Sequence, residues 1–149
     1  MYMNDFFAQL YELFGSVYIT GFSDDLFDAG VYTSTGIATL AVAMFGMVIF
    51  YLLKAQKPLT FRVPAWFITV FVLCVINFGI AYAMSNSTLY GIYAEQNQDL
   101  PYGFGSFAGF ALINLVWSFV YCFIFSAVIQ LIFRNAHSDV PIPFRKSQK

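Results

Sequence analysis

Few side chains in this sequence can hold a ligand or move a proton, and their positions decide which chemistry is open to them. The strongest polar groups in apolar surroundings are two carboxamides, Asn77 and Asn114. Beyond Asn114 come Ser118, Cys122, Ser126 and Gln130, each four residues from the last. Carboxamides and hydroxyls donate and accept hydrogen bonds without titrating near neutrality, so they suit helix-to-helix bonding better than acid–base catalysis. The ionisable groups are seven Lys and Arg, eight Asp and Glu and one histidine, and all of them fall outside the three long apolar stretches. Proton relays, ion-coupled transport and voltage sensing use charged groups at membrane depth, so the sequence points away from these activities. His137, near the C-terminus, is the single histidine; haem ligation by histidine within the apolar stretches is therefore excluded.

The remaining candidates read the same way. Cys74 and Cys122 both sit in apolar runs and lack the Cys/His spacing of a zinc site, so they read as small packing side chains. Asp24, Asp25 and Asp28 lack the ligand and glycine spacing of a calcium-binding loop. After Ser23 they read instead as a capped first helical turn. No Ser/His/Asp set, glycine-rich phosphate loop or catalytic carboxylate pair can be placed. The expectation is a non-enzyme with no cofactor and no metal. Asn86-Ser87-Thr88 is a glycosylation tripeptide with meaning only in a glycosylating secretory pathway.

The elements that must carry these residues are membrane helices. Hydrophobic residues make up 60% of the chain and charged residues 10%, too little charge to cover a water-soluble globule of 149 residues. A bilayer core ~30 Å thick needs roughly 20 apolar residues in a helix. Three charge-free stretches qualify: 31–53, 63–84 with Pro64 near its start, and 100–133. Their uniform apolarity argues for helices over a membrane barrel of alternating polarity. The predicted fold is an all-α membrane protein with three transmembrane helices and a short N-terminal amphipathic interfacial helix. It forms one domain: an outer amphipathic segment over 1–23, helix one over 24–54, helix two over 63–84, an outer loop over 85–104, helix three over 105–134 and a tail over 135–149. In 4–14, Phe6, Phe7, Leu10, Tyr11 and Phe14 recur at helical spacing opposite Asp5, Gln9 and Glu12. That pattern reads as a short helix packed on the spans. The N-terminus has no Lys or Arg, so a cleavable signal peptide is not predicted.

Charge sets the expected orientation. Lys54, Lys57 and Arg62 flank the first connection, and Arg134, Arg145, Lys146 and Lys149 follow the third span. Under the positive-inside rule these lie in the cytoplasm, which leaves the N-terminal segment and the second loop outside. A bacterial inner membrane is the expected location. The scattered basic residues and net charge of −1 make no phosphate-tracking patch, so nucleic acid is not an expected partner.

Packing within the membrane should use small and polar residues. Gly36, Thr39, Ala43 and Gly46 form a stripe in span one, and Gly105 and Gly109 form a GxxxG pair in span three. At 1.5 Å per residue, Asn77 lies ~10 Å inside Met84 and Asn114 ~14 Å inside Gly105. The two should therefore face each other or a shared neighbour. The row from Asn114 to Gln130 turns by about 40° per four-residue step, so a single partner meets it all only by crossing it. Val140-Pro-Ile-Pro-Phe reads as an extended stretch in a plain terminal tail.

These observations favour a small multispan subunit that anchors or scaffolds a larger membrane assembly, such as a secretion or envelope-spanning machine. Its partners would be the lipid bilayer and other membrane proteins or copies of itself. Three spans with the N-terminus outside, the C-terminus inside and a basic tail resemble the arrangement of phage class I holins, a resemblance that implies a pore-forming or membrane-permeabilising alternative. A small transporter or membrane-enzyme subunit is the third reading; Asn77, Asn114 and Gln130 supply its chemistry only thinly.

Overall fold

The computed structural model describes residues 2–13, 21–54 and 59–132. Phe14, Lys57 and the tail, with Arg134 and His137, lie outside the described residues. Among the described residues five helices follow in order: α1 (Tyr2–Glu12), α2 (Phe22–Asp28), α3 (Val31–Lys54), α4 (Leu59–Glu95) and α5 (Phe104–Ile132). No strand occurs among the described residues. Three helices among the described residues are long and apolar enough to cross a membrane, over Val31–Leu53, Val63–Glu95 and Phe104–Leu131. The chain is an integral membrane protein.

The three spans form an up–down–up bundle. Thr39 of α3 and Asn77 of α4 both meet Asn114 of α5, and Tyr51 of α3 and Trp66 of α4 both meet Ser126. Those pairings require α4 to run antiparallel to the other two. Side chains such as Phe71, Val75, Phe119 and Phe123 remain exposed on the bundle and face lipid. Two buried clusters stack along the bundle. One gathers Phe7, Tyr11, Phe22, Leu26, Tyr32, Phe107 and Phe110 at what we call the cap end. The other gathers Met47, Phe50, Trp66, Cys74 and Cys122 toward the far end.

Two boundaries differ from those the sequence pattern predicts. In place of one unbroken helix over 24–54, the chain forms two helices parted at Ala29 and Gly30. Gly30 takes a left-handed φ of 66° and its N–H bonds to the Phe27 carbonyl, which closes α2. Ser23 is not the cap. Gly21 holds that position, and the Ser23 hydroxyl donates to Glu12 at 2.6 Å and lies 3.0 Å from the Tyr32 hydroxyl. In place of a loop over 85–104, the chain stays helical to Glu95. The polar run Ser85-Asn86-Ser87-Thr88 depresses hydropathy without breaking a helix: the Ser85 hydroxyl donates to the Ala81 carbonyl at 2.8 Å, and Leu89 is buried. The true stop is Asn97. Its φ is 53°, with Asn97 N–H on Ala94 O and Gln98 N–H on Tyr93 O, the paired bonds of a Schellman end.

The extension gives α4 37 residues, ~55 Å at the helical rise, against ~30 Å of hydrocarbon. Phe104, at the start of α5, packs on Tyr82, with ring centroids 5.7 Å apart. From Tyr82 to Glu95, α4 therefore rises ~20 Å beyond the start of α5. Helix α2 fills the space beside it. Phe22 and Leu26 are fully buried, and the Phe22 ring packs on Tyr102 and Phe107 with centroids 4.9 and 5.4 Å apart.

Candidate functional site

The polar residues of the spans meet along a seam between α3, α4 and α5. Asn114 is its hub. The Asn114 Oδ1 accepts from the Tyr11 hydroxyl at 2.5 Å and the Thr39 hydroxyl at 2.9 Å, while its Nδ2 donates to the Asn77 backbone carbonyl at 2.9 Å. The Asn77 amide in turn donates to Ser118 Oγ at 2.7 Å. The two asparagines thus share one neighbourhood, joined through the Asn77 main chain instead of amide to amide. Four helices converge on this point, all through groups that are fully or almost fully buried.

A second node lies toward the far end. Ser126 Oγ is 2.5 Å from the Tyr51 hydroxyl and accepts from Trp66 Nε1 at 3.2 Å and from Gln130 Nε2 at 3.4 Å; Gln130 Nε2 also donates to Tyr51 at 2.5 Å. All five members of the Asn114–Gln130 row are buried, Cys122 included. The turn of the row is absorbed because two helices, α3 and α4, flank α5 along the seam. Cys74 and Cys122 are free thiols in the layer that separates the two nodes.

The stripe on α3 receives other elements at two of its four positions and a hydrogen bond at a third. A Cβ on Gly36 would lie 2.3 Å from a Phe7 ring carbon, and one on Gly46 would lie 2.5 Å from a Leu73 methyl. Thr39 bonds Asn114, and Ala43 is buried against the far cluster. The GxxxG pair behaves otherwise. Gly109 is buried, but Gly105 is exposed, and a Cβ there would meet nothing within 4 Å. Gly105 therefore makes no close helix contact among the described residues.

Helix α1 is held at the depth of the hub. Phe7, Ala8 and Tyr11 form its buried face, and Tyr11 is 1% exposed. Its hydroxyl reaches Asn114, ten residues or ~15 Å along α5 from Phe104. A helix end in apolar surroundings leaves carbonyls without partners; Trp117 Nε1 supplies one by donating to Leu10 O at 2.9 Å. At the other end, Asn4 donates to Phe27 O at 2.8 Å and accepts from Thr33 at 3.0 Å. Burial pushes the Tyr11 phenol well above its ordinary range, so it stays a neutral donor.

Sequence reasoning missed Tyr11, Tyr51 and Trp66 as seam members. Tyr11 counts as apolar in a helical-face pattern, and Trp66 reads as a boundary aromatic; only their partners across the bundle reveal the polar role of each.

Asp25 organises the cap. The Tyr93 and Tyr102 hydroxyls both donate to its Oδ2, at 2.7 and 2.6 Å, which ties α2 to the end of α4 and the connection into α5. No group of three acidic, His or Cys side chains fit to hold a metal ion occurs among the described residues. Asp25→Ala removes the shared acceptor, so amide exchange in α2 and in 96–103 should accelerate by about tenfold or more, the effect of losing charge-assisted bonds. Burial, then the bond to Asp25, raises the Tyr102 phenol above its ordinary 10.0. A raised folded value means the bond contributes fully below pH 10.0 and is lost as pH climbs from there through the folded value. The Tyr102 contribution to cap stability should be flat across neutral pH and fade only in strong alkali, read by exchange or by tyrosinate absorbance.

No protein-family profile, no curated protein and no solved structure matches this chain.

Proposed function

We propose that the chain is a small multispan subunit that anchors or scaffolds a larger membrane-associated assembly. It sits in a bacterial inner membrane with its N-terminus outside and its C-terminus in the cytoplasm. The observation that carries this reading is the inward closure of the polar seam. Asn114, Ser118 and Ser126 bond to neighbouring helices of the same chain, and large apolar side chains turn outward along the spans. Polar groups used this way fix helix positions. Asn77, Asn114, Thr39, Ser118, Ser126 and Gln130 are all buried, and Tyr51 is partly buried, which leaves little of the seam for a permeabilising assembly to line. The cap adds an ordered layer of α2 and the projecting end of α4, a platform for protein contact beyond the bilayer. The basic residues at the far end support the orientation through the positive-inside rule.

Purification of the full chain from its native membrane in mild detergent, with the particle mass measured by light scattering, tests the reading. A complex with other proteins bound in fixed ratio is the expected result. A bare monomer of 16.8 kDa plus detergent would count against it.

A further inference from the structure

One apolar face of α1 points away from the bundle. At about 100° per residue, the helix divides into three sectors. Phe7, Ala8 and Tyr11 make the buried one. Asp5, Gln9 and Glu12 make a polar one, and Glu12 accepts from Ser23 of α2 at 2.6 Å. Met3, Phe6 and Leu10, with Leu13 just past the helix end, make the third, ~80° wide. Leu10 is partly buried, whereas Met3, Phe6 and Leu13 are 55%, 57% and 70% exposed. A contiguous apolar face left open in this way marks a contact with lipid or with protein.

Helix α3 sets the scale of depth. It is charge-free from Val31 to Leu53, 23 residues or ~34 Å, against ~30 Å of hydrocarbon. Val31 and Leu53 therefore lie close to the two boundaries. Helix α1 runs parallel to α3, from the cap-side boundary inward. Asn4 accepts from Thr33 at 3.0 Å, Phe7 lies against Gly36, and the Tyr11 and Thr39 hydroxyls share Asn114 Oδ1. Thr39 is eight residues, ~12 Å, inside Val31. The Tyr11 end of α1 is thus ~12 Å into a leaflet whose hydrocarbon is ~15 Å deep. The last turn is built for that depth. Its Leu10 carbonyl takes a donor from Trp117, where water supplies none.

We propose that α1 is a half-span, which enters the cap-side leaflet beside α3 and lays Phe6, Leu10 and Leu13 against the acyl chains. The occupant is acyl chain and not headgroup, because the face lies below the boundary and α1 has no Lys or Arg to hold a phosphate. The acids do not oppose insertion. Glu12 is turned to the flank where α2 supplies the Ser23 hydroxyl, so no acid shares the lipid-facing sector. This contact is independent of any assembly the chain joins, so it can fail while the scaffold reading stands, and the reverse.

The test places p-benzoylphenylalanine at one position at a time in the full chain, irradiates the native membrane and identifies the adducts by mass spectrometry. The positions are Met3, Phe6 and Leu13, all exposed and outside the hub. Phe123, exposed in the middle of α5, serves as the lipid reference, and Ser87, exposed on the projecting end of α4, as the reference beyond the bilayer. Phe6, Leu13 and Phe123 should give phospholipid adducts, and Ser87 none. The Leu13 adduct should sit further down the acyl chain than the Met3 adduct, since the two positions differ by ~15 Å along the helix. Protein adducts in place of lipid at Phe6 and Leu13 would overturn the proposal. So would the absence of lipid adducts there while Phe123 gives them, or a Leu13 adduct no deeper than that of Met3.

Discussion

Asn114→Leu is expected to lower the unfolding free energy of the bundle in mixed micelles by about 2–5 kcal/mol, the largest effect of any single substitution in the spans. The figure is three hydrogen bonds at the ~0.6–1.7 kcal/mol measured for such bonds in membrane proteins. The three are those from Tyr11 and Thr39 and to the Asn77 carbonyl. Leucine is close in volume, so little of the loss would come from a cavity. The substitution removes the bond from the Tyr11 hydroxyl to Asn114, and burial keeps that hydroxyl protonated. Tyr11→Phe removes that same hydroxyl and should cost about 0.6–1.7 kcal/mol alone. The pair then forms a test of coupling. In Asn114→Leu the added change Tyr11→Phe should cost less than it does in the parent chain, because the bond to Asn114 is already gone. Sodium dodecyl sulfate titration followed by far-ultraviolet circular dichroism reads all three variants.

Gly36→Val should release α1 while leaving the three spans folded. A Cβ at this position would lie 2.3, 2.4 and 2.7 Å from three carbons of the Phe7 ring. One of these is Cγ, at the root of the ring, so turning the ring about its own axis does not clear the clash. Overpacking of this kind costs about 1–3 kcal/mol where a core must yield. Here the yielding element is an 11-residue helix, too short to be stable alone. Once Phe7 leaves, Tyr11 follows, and the Leu10 carbonyl loses Trp117. Limited proteolysis should therefore cut 2–13 at least tenfold faster in Gly36→Val than in the parent chain, with the α3–α5 core intact. Gly46→Ala provides the contrast. Its closest neighbours are the two methyls of Leu73 at 2.5 and 2.6 Å, the far ends of a flexible side chain, and α1 should stay protected.

The spans are legible in the sequence because uninterrupted apolarity over about 20 residues fits a membrane helix and little else. The depths of Asn77 and Asn114 are legible because a fixed rise converts position into height. Lateral direction is harder. Asn114 meets a backbone carbonyl, and every residue carries one of those, so no pattern of side chains marks it. Tyr11 is hidden by its ring, which satisfies an apolar face while its hydroxyl reaches past it. The end of α4 is obscured because Ser85, Asn86, Ser87 and Thr88 look like a loop by polarity, although the Ser85 hydroxyl is satisfied within its own helix. The break at Gly30 depends on a single left-handed residue; a glycine inside an apolar run carries that signal weakly, as Gly46 within α3 illustrates. Gly105 is the opposite case, half of a motif that meets no partner among the described residues.

On the reading proposed above, the polar groups of the membrane interior hold this chain together and do not line a path through it. Potassium efflux from phospholipid vesicles containing the purified full chain tests that reading most directly. Retention of potassium at the rate of protein-free vesicles, across a wide range of protein-to-lipid ratios, is the predicted result. Efflux that rises with protein content and changes in Asn77→Leu or Gln130→Leu would contradict it.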